Sequence, residues 1–275
     1  MPDARTPPPP SPFTMPTVAR VRAHYMALCA AAAAQFGTGA LAGRLLLIDC
    51  LADEGDALLI AASVAGAASL VLETRTEAIR YCVRNGIVDF AVTNLNEALR
   101  ILKNELRKKQ PIAVLVERDA ADVLAEMVER GAQPDMLRWA SPEPALNAYI
   151  DTLTERGARP LPGAISSSLE SEADPVRADA TGEVCWRAGE GGSSALRQLE
   201  LLAAQILPPT DVERQNWIAR APRYLPRALR LERRVSMTQR ECVAFVAAVE
   251  ERAQQGALAA PVQIEAGGQV RGFGQ

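Results

Sequence analysis

The stretch GRLLLIDCLADEGDALLIAASVAG, residues 43–66, decides the fold of this chain. A short apolar run, an acidic turn and a longer apolar segment predict a strand–turn–helix unit. Dinucleotide-binding proteins have a glycine-rich turn here, because backbone amides and the helix N-terminus must approach a pyrophosphate closely. This turn has one glycine, Gly55, and four carboxylates. The carboxylates belong to Asp49, Asp53, Glu54 and Asp56. The turn is therefore expected to repel a phosphate.

Strand and helix patterns alternate on both sides of this stretch. Strands are predicted at residues 45–50, 69–74, 88–93, 111–116 and 135–140, and helices at 17–36, 57–65, 77–84, 95–108 and 120–130. Asn94, Asp119 and Asp211 are expected helix N-caps. The alternation predicts an α/β fold with a doubly wound, mostly parallel Rossmann-like sheet and helices on both faces. A mainly helical C-terminal section follows, with one strand at 260–266.

Composition divides the chain into five parts. Residues 1–16 contain seven prolines and are expected to be a disordered tail. Residues 17–158 are predicted to form the Rossmann-like domain. Residues 159–194 are rich in Gly, Ser, Ala, Glu and Pro, which indicates a linker or long loop. Residues 195–266 form the helical section, and the glycine-rich residues 267–275 are expected to be flexible.

Charge and cysteine usage exclude several classes of partner. The chain has 275 residues and a net charge of -3, with a pI near 5.5, so nothing attracts it to nucleic acid or an anionic membrane. Its longest apolar run, residues 26–34, is too short to span a bilayer. Five widely spaced cysteines without a CxxC pair indicate reduced thiols, a cytoplasmic location and no zinc site.

Several blocks resemble a known family in the same order and with similar spacing. GALAGRLLLIDCLADEGDALLIAASVAGAASLVLE (39–73) resembles the NAD-binding segment of urocanase (urocanate hydratase). HYMALCAAAAAQF (24–36), LNEALRI (95–101) and LVERDAADVLAEMVERGAQPD (115–135) are similar to neighbouring parts of that domain. LPRALRL (225–231) and residues 244–264 resemble part of the core that follows it. The resemblance implies a truncated relative of this family of histidine catabolism.

The resemblance also implies a cofactor, but the residues that bind it are largely replaced. Urocanases hydrate urocanate with a tightly bound NAD that acts as an electrophile. The glycines of the family's loop fall on Cys50, Ala52, Asp53, Gly55 and Asp56, so only Gly55 is retained. Glu73 matches the acid that holds the adenosine ribose. RWASPEP (138–144) replaces the family's polar loop, and the cysteine near the cofactor falls at about Arg230. Gly55 and Glu73 are thus remnants of the cofactor site, and no cofactor is expected.

The carboxyl ends of the predicted strands still define a candidate ligand cleft. Its predicted residues are Asp49, Cys50, Asp53, Glu54, Asp56, Thr74, Thr93, Asn94, Glu117, Arg118 and Arg138. The acidic turn offers oxygen ligands that suit Mg²⁺ or Ca²⁺, but a solvated turn is the simpler interpretation and no metal site is predicted. The single histidine, His24, is interpreted as a surface or packing residue, and no catalytic residue is predicted.

A basic run in the C-terminal section has two interpretations. It comprises Arg214, Arg220, Arg223, Arg227, Arg230, Arg233, Arg234 and Arg240, with Trp217 and Tyr224 interleaved. Such a run can bind phosphates or RNA. The favoured interpretation is a solvated helical face with acidic partners such as Glu213 and Glu232, and the run could also dock on the turn around Asp53.

Three hypotheses for function follow. The first is a non-enzyme: a urocanase-like protein that has lost NAD binding and hydratase activity and acts as a binding or assembly module, as a homodimer. The second is a small-molecule-binding protein or enzyme that reuses the cleft for a cationic or neutral ligand. The third is a working NAD-dependent urocanate hydratase, which would have to bind NAD without the glycines of its loop.

Overall fold

The computed structural model of the chain describes residues 13–51, 54–139, 143–161 and 180–274. The predictions for most of the proline-rich tail, for residues 162–179 of the linker and for Asp53 lie outside the described residues. In the part that is described, no helix is long and apolar enough to cross a membrane.

A six-stranded parallel sheet forms the centre of the N-terminal half. Its strands are β1 (Leu45–Ile48), β2 (Ala68–Leu72), β3 (Phe90–Val92), β4 (Ile112–Val116), β5 (Met136–Arg138) and β6 (Arg159–Pro160). They lie in the order β3-β4-β2-β1-β5-β6, and every neighbouring pair is parallel. The predicted doubly wound Rossmann-like fold is therefore confirmed. The strand order reverses at β1, which makes the carboxyl ends of β1 and β5 the topological switch point.

Helices cover both faces of this sheet. The helices are α1 (Val18–Phe36), α2 (Gly55–Ala65), α3 (Thr76–Asn85), α4 (Leu95–Lys108), α5 (Ala120–Arg130) and α6 (Pro144–Glu155). In β1, Leu46 and Ile48 join the core of α1, α2 and α3, whereas Leu45 and Leu47 join the core of α4, α5 and α6. Successive strand side chains point to opposite faces. A strand with both faces covered is consequently apolar throughout.

The C-terminal section contains the predicted helices and also an antiparallel sheet. Its elements are β7 (Ala180–Ala188), α7 (Ser193–Ile206), α8 (Val212–Tyr224), β8 (Glu232–Thr238), α9 (Gln239–Gln254), β9 (Val262–Ala266) and β10 (Gln269–Phe273). The strands lie in the order β10-β9-β7-β8. The sequence indicated β9 and only the centre of β7, while β8 begins in the basic stretch and β10 lies where a flexible end was expected.

Two local features explain why β8 and β10 were not predicted. Arg233 is buried in β8 because Glu200 pairs with it at 2.6 Å, so an inward position of the strand carries a charge. β10 mixes polar and apolar residues without strict alternation, and it pairs with β9 across the turn at Gly267 and Gly268. Both glycines have positive φ, 56° and 76°, as a two-residue hairpin turn requires. The pairing is set by this turn rather than by apolar alternation.

One continuous apolar core joins the two halves through α1 and α2. The Tyr25 ring on α1 lies 5.1 Å from the Trp217 ring on α8, and its hydroxyl donates to the Glu213 carbonyl at 2.9 Å. Every residue of α2 except Asp56 is buried, because the helix lies between the sheet, α1 and α8. A helix that is apolar all round is typical of such a position. Glu54, immediately before α2, is therefore held next to α1.

Candidate functional site

The N-terminus of α2, where dinucleotide-binding proteins hold a pyrophosphate, is occupied by Glu54. Glu54 is the N-cap residue and has a φ of 68°, in the left-handed region. A residue with a side chain pays roughly 1–2 kcal/mol for that conformation, which glycine adopts freely. The Glu54 carboxylate lies 2.6 Å from the Arg20 guanidinium and 2.9 Å from Nε2 of His24. Two residues of α1 thus hold a negative charge at the start of α2.

His24 is a buried partner of Glu54. Its residue surface is 5% exposed, and its Nδ1 has no hydrogen-bond partner among the described residues. Burial lowers the pKa of His24, and this effect exceeds the opposing effect of the hydrogen bond to Glu54. A neutral imidazole at neutral pH donates from Nε2 to the carboxylate. The expectation of a packing residue agrees with this burial, whereas a surface position does not.

Gly55 is required by the packing of α2 on β1. A Cβ atom at this position would overlap the carbonyl oxygen of Cys50, which is backbone and cannot rotate away. The third glycine of dinucleotide-binding turns has the same role, since it allows close packing of helix and strand. The single retained glycine of the turn is therefore explained by the fold and does not by itself indicate a bound cofactor.

Asp56 adds a second carboxylate to the first turn of α2. Its Oδ1 accepts a hydrogen bond from the backbone N–H of Ala57 at 2.7 Å. Burial raises the pKa of Asp56, and the negative charge of Glu54 acts in the same direction. The partial positive charge of a helix N-terminus attracts anions. Here the chain places its own carboxylates at that end.

Glu73, the residue predicted to be a remnant of the ribose site, accepts hydrogen bonds from the protein on both of its carboxylate oxygens. Its Oε1 accepts from the backbone N–H groups of Thr74 and Arg75 and from Nε of Arg75, at 3.1, 2.9 and 3.0 Å. Its Oε2 accepts from Nη2 of Arg75 at 2.7 Å and from the backbone N–H of Leu51 at 3.2 Å. Burial alone would raise the pKa of Glu73, but these bonds lower it overall. Two carboxylate oxygens offer about four acceptor sites, so Glu73 has none left for a hydroxyl.

The topological switch point is closed by an ion pair. Nη1 of Arg138, at the end of β5, lies 3.2 Å from Oδ1 of Asp49, which follows β1. The Asp49 side chain is 1% exposed. The same Nη1 lies 3.4 Å from the carbonyl oxygen of Cys50 and 3.8 Å from its Sγ. The structure thus brings Arg138, Asp49 and Cys50 together at the switch point, where they contact one another. Their predicted role in binding a ligand stays a prediction.

A cleft of about 800 Å³ opens beside the N-terminus of α2. Residues 13–17, here named the pre-helix segment, form one wall, and residues 75–77 contribute to another. Its charged lining residues are Arg20, Glu54, Asp56, Arg75 and Glu77. Arg20 pairs with Glu54 and Arg75 with Glu73. The cleft has the size of a small-molecule site, and its lining is net negative.

The other predicted cleft residues follow β2, β3 or β4. Thr74 contacts Glu73 through its backbone only. Asn94 caps α4 by accepting from the backbone N–H of Glu97 at 2.8 Å, as predicted. Arg118 pairs with Glu126 at 2.7 Å. Thr93 and Glu117 are exposed at the ends of β3 and β4. These residues hold their own helices and strands, and Asp53 lies outside the described residues.

The sequence interpretation missed several residues of the cleft: Arg20, Arg75, Glu77 and the pre-helix segment. One signal was present, because Arg20 and His24 are four apart in a predicted helix and so share a face. Nothing in the local sequence paired that face with Glu54. In the described residues, no group of three or more His, Cys, Asp or Glu side chains is arranged to hold a metal ion.

The basic run does not form one solvated helical face. Arg214 on α8 is buried and pairs with Asp211 and Glu241 at 2.7 and 2.6 Å. Arg234 on β8 pairs with Glu232 and Glu183 at 2.7 and 3.0 Å. Arg233 pairs with Glu200, as described above. The expectation of acidic partners, including Glu232, agrees with these contacts, and the run is split between a helix and a strand.

The fold and the site described above define a class of protein. It is a Rossmann-like α/β domain in which the chain's own side chains occupy the sheet edge where dinucleotide-binding proteins hold their cofactor. A protein-family model, the Urocanase Rossmann-like domain, matches residues 21–143. The match begins in α1 and ends immediately before α6, so it includes the acidic turn and β1 to β5. The chain therefore contains a urocanase-like Rossmann domain, and the resemblance found in the sequence is confirmed for residues 21–143. The resemblance of residues 225–231 and 244–264 lies outside this match and stays a prediction.

Proposed function

We propose that this protein is a urocanase-like binding or assembly module that holds no NAD and does not hydrate urocanate. The observation that carries the proposal is the carboxylate of Glu54 at the N-terminus of α2, fixed by Arg20 and His24. A pyrophosphate at this helix end would lie against Glu54 and Asp56. The residues present do not fit the cofactor that the family uses.

Magnitudes support this conclusion. Two like charges about 4 Å apart repel by about 4 kcal/mol near a protein surface. A helix N-terminus offers an anion typically 0.3–1 kcal/mol, and about 2 kcal/mol in favourable geometry. The repulsion from one carboxylate without an ion-pair partner, as Asp56 is in the described residues, would therefore exceed the attraction of the helix end, whereas Arg20 offsets part of the charge of Glu54. NAD is expected to bind far more weakly than to a urocanase with a glycine-rich turn.

Glu73 supports the same proposal from the other end of the cofactor. In the resembling family the matching acid accepts hydrogen bonds from the adenosine ribose. Here Arg75 and the backbone of residues 51, 74 and 75 already donate to both of its oxygens. A ribose would have to break charge-assisted hydrogen bonds, which are about twice as strong as neutral ones.

A second candidate function is the binding of a small cationic molecule in the cleft of about 800 Å³. Asp56 and Glu77 line it, and no ion pair joins either to an arginine in the described part of the chain. An amine would satisfy both carboxylates. In this candidate function the cleft remains a binding site, but its ligand is a cation instead of the anionic pyrophosphate of NAD.

The assembly part of the proposal is a homodimer in the cytoplasm. Phe90 on the edge strand β3 is 48% exposed and Val83 on α3 is 51% exposed. A second copy on this edge would cover both apolar side chains. None of the five cysteines is in a disulfide, which supports a reducing compartment.

The experiment that tests the proposal is native mass spectrometry of the purified protein, followed by denaturation and mass analysis of any released molecule. A bare protein at dimer mass and a melting temperature unchanged by added NAD are expected. A monomer mass would contradict the assembly part of the proposal. Release of NAD, or loss of urocanate absorbance on incubation with the protein, would restore the hydratase hypothesis. A released amine would support the second candidate.

A further inference from the structure

The pre-helix segment is attached to the cleft by specific side-chain contacts. The Phe13 ring stacks on the Tyr81 ring of α3, with centroids 5.6 Å apart and planes 28° apart. The Tyr81 hydroxyl donates to Sδ of Met15 at 3.8 Å. Pro16 is buried, and Thr17 caps α1 by accepting from the backbone N–H of Arg20. The segment therefore has an aromatic contact at one end and a helix cap at the other.

The same segment contacts Arg75, the arginine that pairs with Glu73. The Arg75 guanidinium lies over the Phe13 ring, 5.3 Å from its centroid, and donates to Glu73 from Nε and Nη2. The Arg75 side chain is 48% exposed, so water competes for it unless another group holds it. Phe13 is such a group, because an aromatic face attracts a guanidinium. A chain of contacts thus runs from Phe13 through Arg75 to Glu73.

We propose that the pre-helix segment is an intramolecular strap that keeps Arg75 on Glu73 and so withholds the Glu73 carboxylate from a ligand in the cleft. While Phe13 lies on Tyr81 and Arg75, Arg75 remains on Glu73. When the segment leaves, the cleft loses one wall and Arg75 loses its aromatic contact, which weakens its hold on Glu73. The Glu73 carboxylate then becomes available to a ligand. The inference concerns regulation of the cleft and rests on the proposed function in treating that cleft as the binding site.

The test is hydrogen–deuterium exchange of the full chain and of three variants. Phe13→Ala removes the ring and Phe13→Tyr retains it. Phe36→Ala removes a ring that also lies under a guanidinium, that of Arg44, at the opposite end of α1. The amides of Thr74 and Arg75 report the state of Glu73, because both donate to it. In Phe13→Ala their exchange is expected to rise roughly two- to tenfold, as loss of an aromatic contact implies. The other two variants should exchange like the natural protein.

Unchanged exchange at these amides in a folded Phe13→Ala variant would overturn the strap. If that variant does not fold, Phe13→Leu retains apolar bulk without an aromatic face, and the same rise in exchange is expected. Native mass spectrometry of the same samples separates this inference from the proposed function. NAD on the natural protein would overturn the proposed function and leave the exchange result standing. NAD on Phe13→Ala alone would support the strap and show that the acidic turn does not exclude the cofactor.

Discussion

The helices α2 and α4 both begin at the carboxyl edge of the parallel sheet, yet their N-termini are built differently. α4 starts with Asn94 in an extended conformation, φ −139°, and the Asn94 side chain caps the helix locally. α2 starts with Glu54 in a left-handed conformation, makes no side-chain cap, and depends on Arg20 and His24 of α1. A local cap serves only its helix. A strained residue held by distant partners is a feature that the surrounding structure must stabilise.

The largest expected effect is at Gly55. Gly55→Ala places a Cβ on the carbonyl oxygen of Cys50, so α2 and β1 must separate. Overpacking of this kind costs typically about 1–3 kcal/mol of the free energy of unfolding, and occasionally more. The matched control is Gly189→Ala, where an added Cβ meets no atom within 4 Å, and which should change stability by less than about 0.5 kcal/mol. Urea denaturation of both variants measures the difference. Equal stability would mean that α2 does not depend on this close approach.

The next largest effect is at Glu54. Glu54→Ala leaves the buried Nε2 of His24 without an acceptor while the left-handed backbone remains, and a loss of about 1–3 kcal/mol is expected. Glu54→Gly loses the same contacts but is relieved of the backbone strain, so it should be about 1 kcal/mol more stable than Glu54→Ala. Chemical denaturation compares the two. If the alanine variant equals or exceeds the glycine variant, the strain at this N-cap is absent.

A smaller effect is expected at the local cap. Asn94→Ala removes the acceptor for the Glu97 N–H and should cost about 1 kcal/mol, whereas Asn94→Ser should be nearly neutral, since serine is also a good N-cap. Thermal melts of the two variants check this prediction. A loss as large as that of Glu54→Ala would remove the contrast between the two helix starts.

The smallest effect is a pH dependence that only the α2 start should show. Burial holds the pKa of His24 below its usual value of 6.5, so the unfolded chain binds the proton more readily than the folded one. The contribution of neutral His24 to the free energy of unfolding is therefore fully present above pH 6.5. It falls as the pH decreases from 6.5 toward the pKa of the folded state. The measurement is the melting temperature between about pH 7.5 and about pH 5.5. His24 is the only histidine, so His24→Gln should flatten this part of the profile. A steep slope that persists in the variant would contradict the assignment.

Much of the fold could be predicted because its determinants are local. The apolar run of β1 and the N-caps Asn94, Asp119 and Asp211 are read within a few residues, and the structure has each of them as expected. β8 could not be predicted, because a charged residue, Arg233, stands at one of its buried positions. Its burial depends on the ion pair with Glu200, which local sequence does not reveal. Residues 13–16 were included in the predicted tail because residues 1–16 contain seven prolines. That composition does not reveal that Phe13 contacts Tyr81.

The sequence by itself determined the strand–helix alternation, the acidic character of the turn and the family of the domain. Only the tertiary structure decided what those acids contact. Glu54 meets His24 across 30 residues and Asp49 meets Arg138 across 89, and no periodicity links positions so far apart. A periodic pattern within one helix or strand indicates which of its residues are buried, and it can be read from that element alone. Ion pairs depend on the approach of two elements, and that approach exists only once the core around α2 has formed.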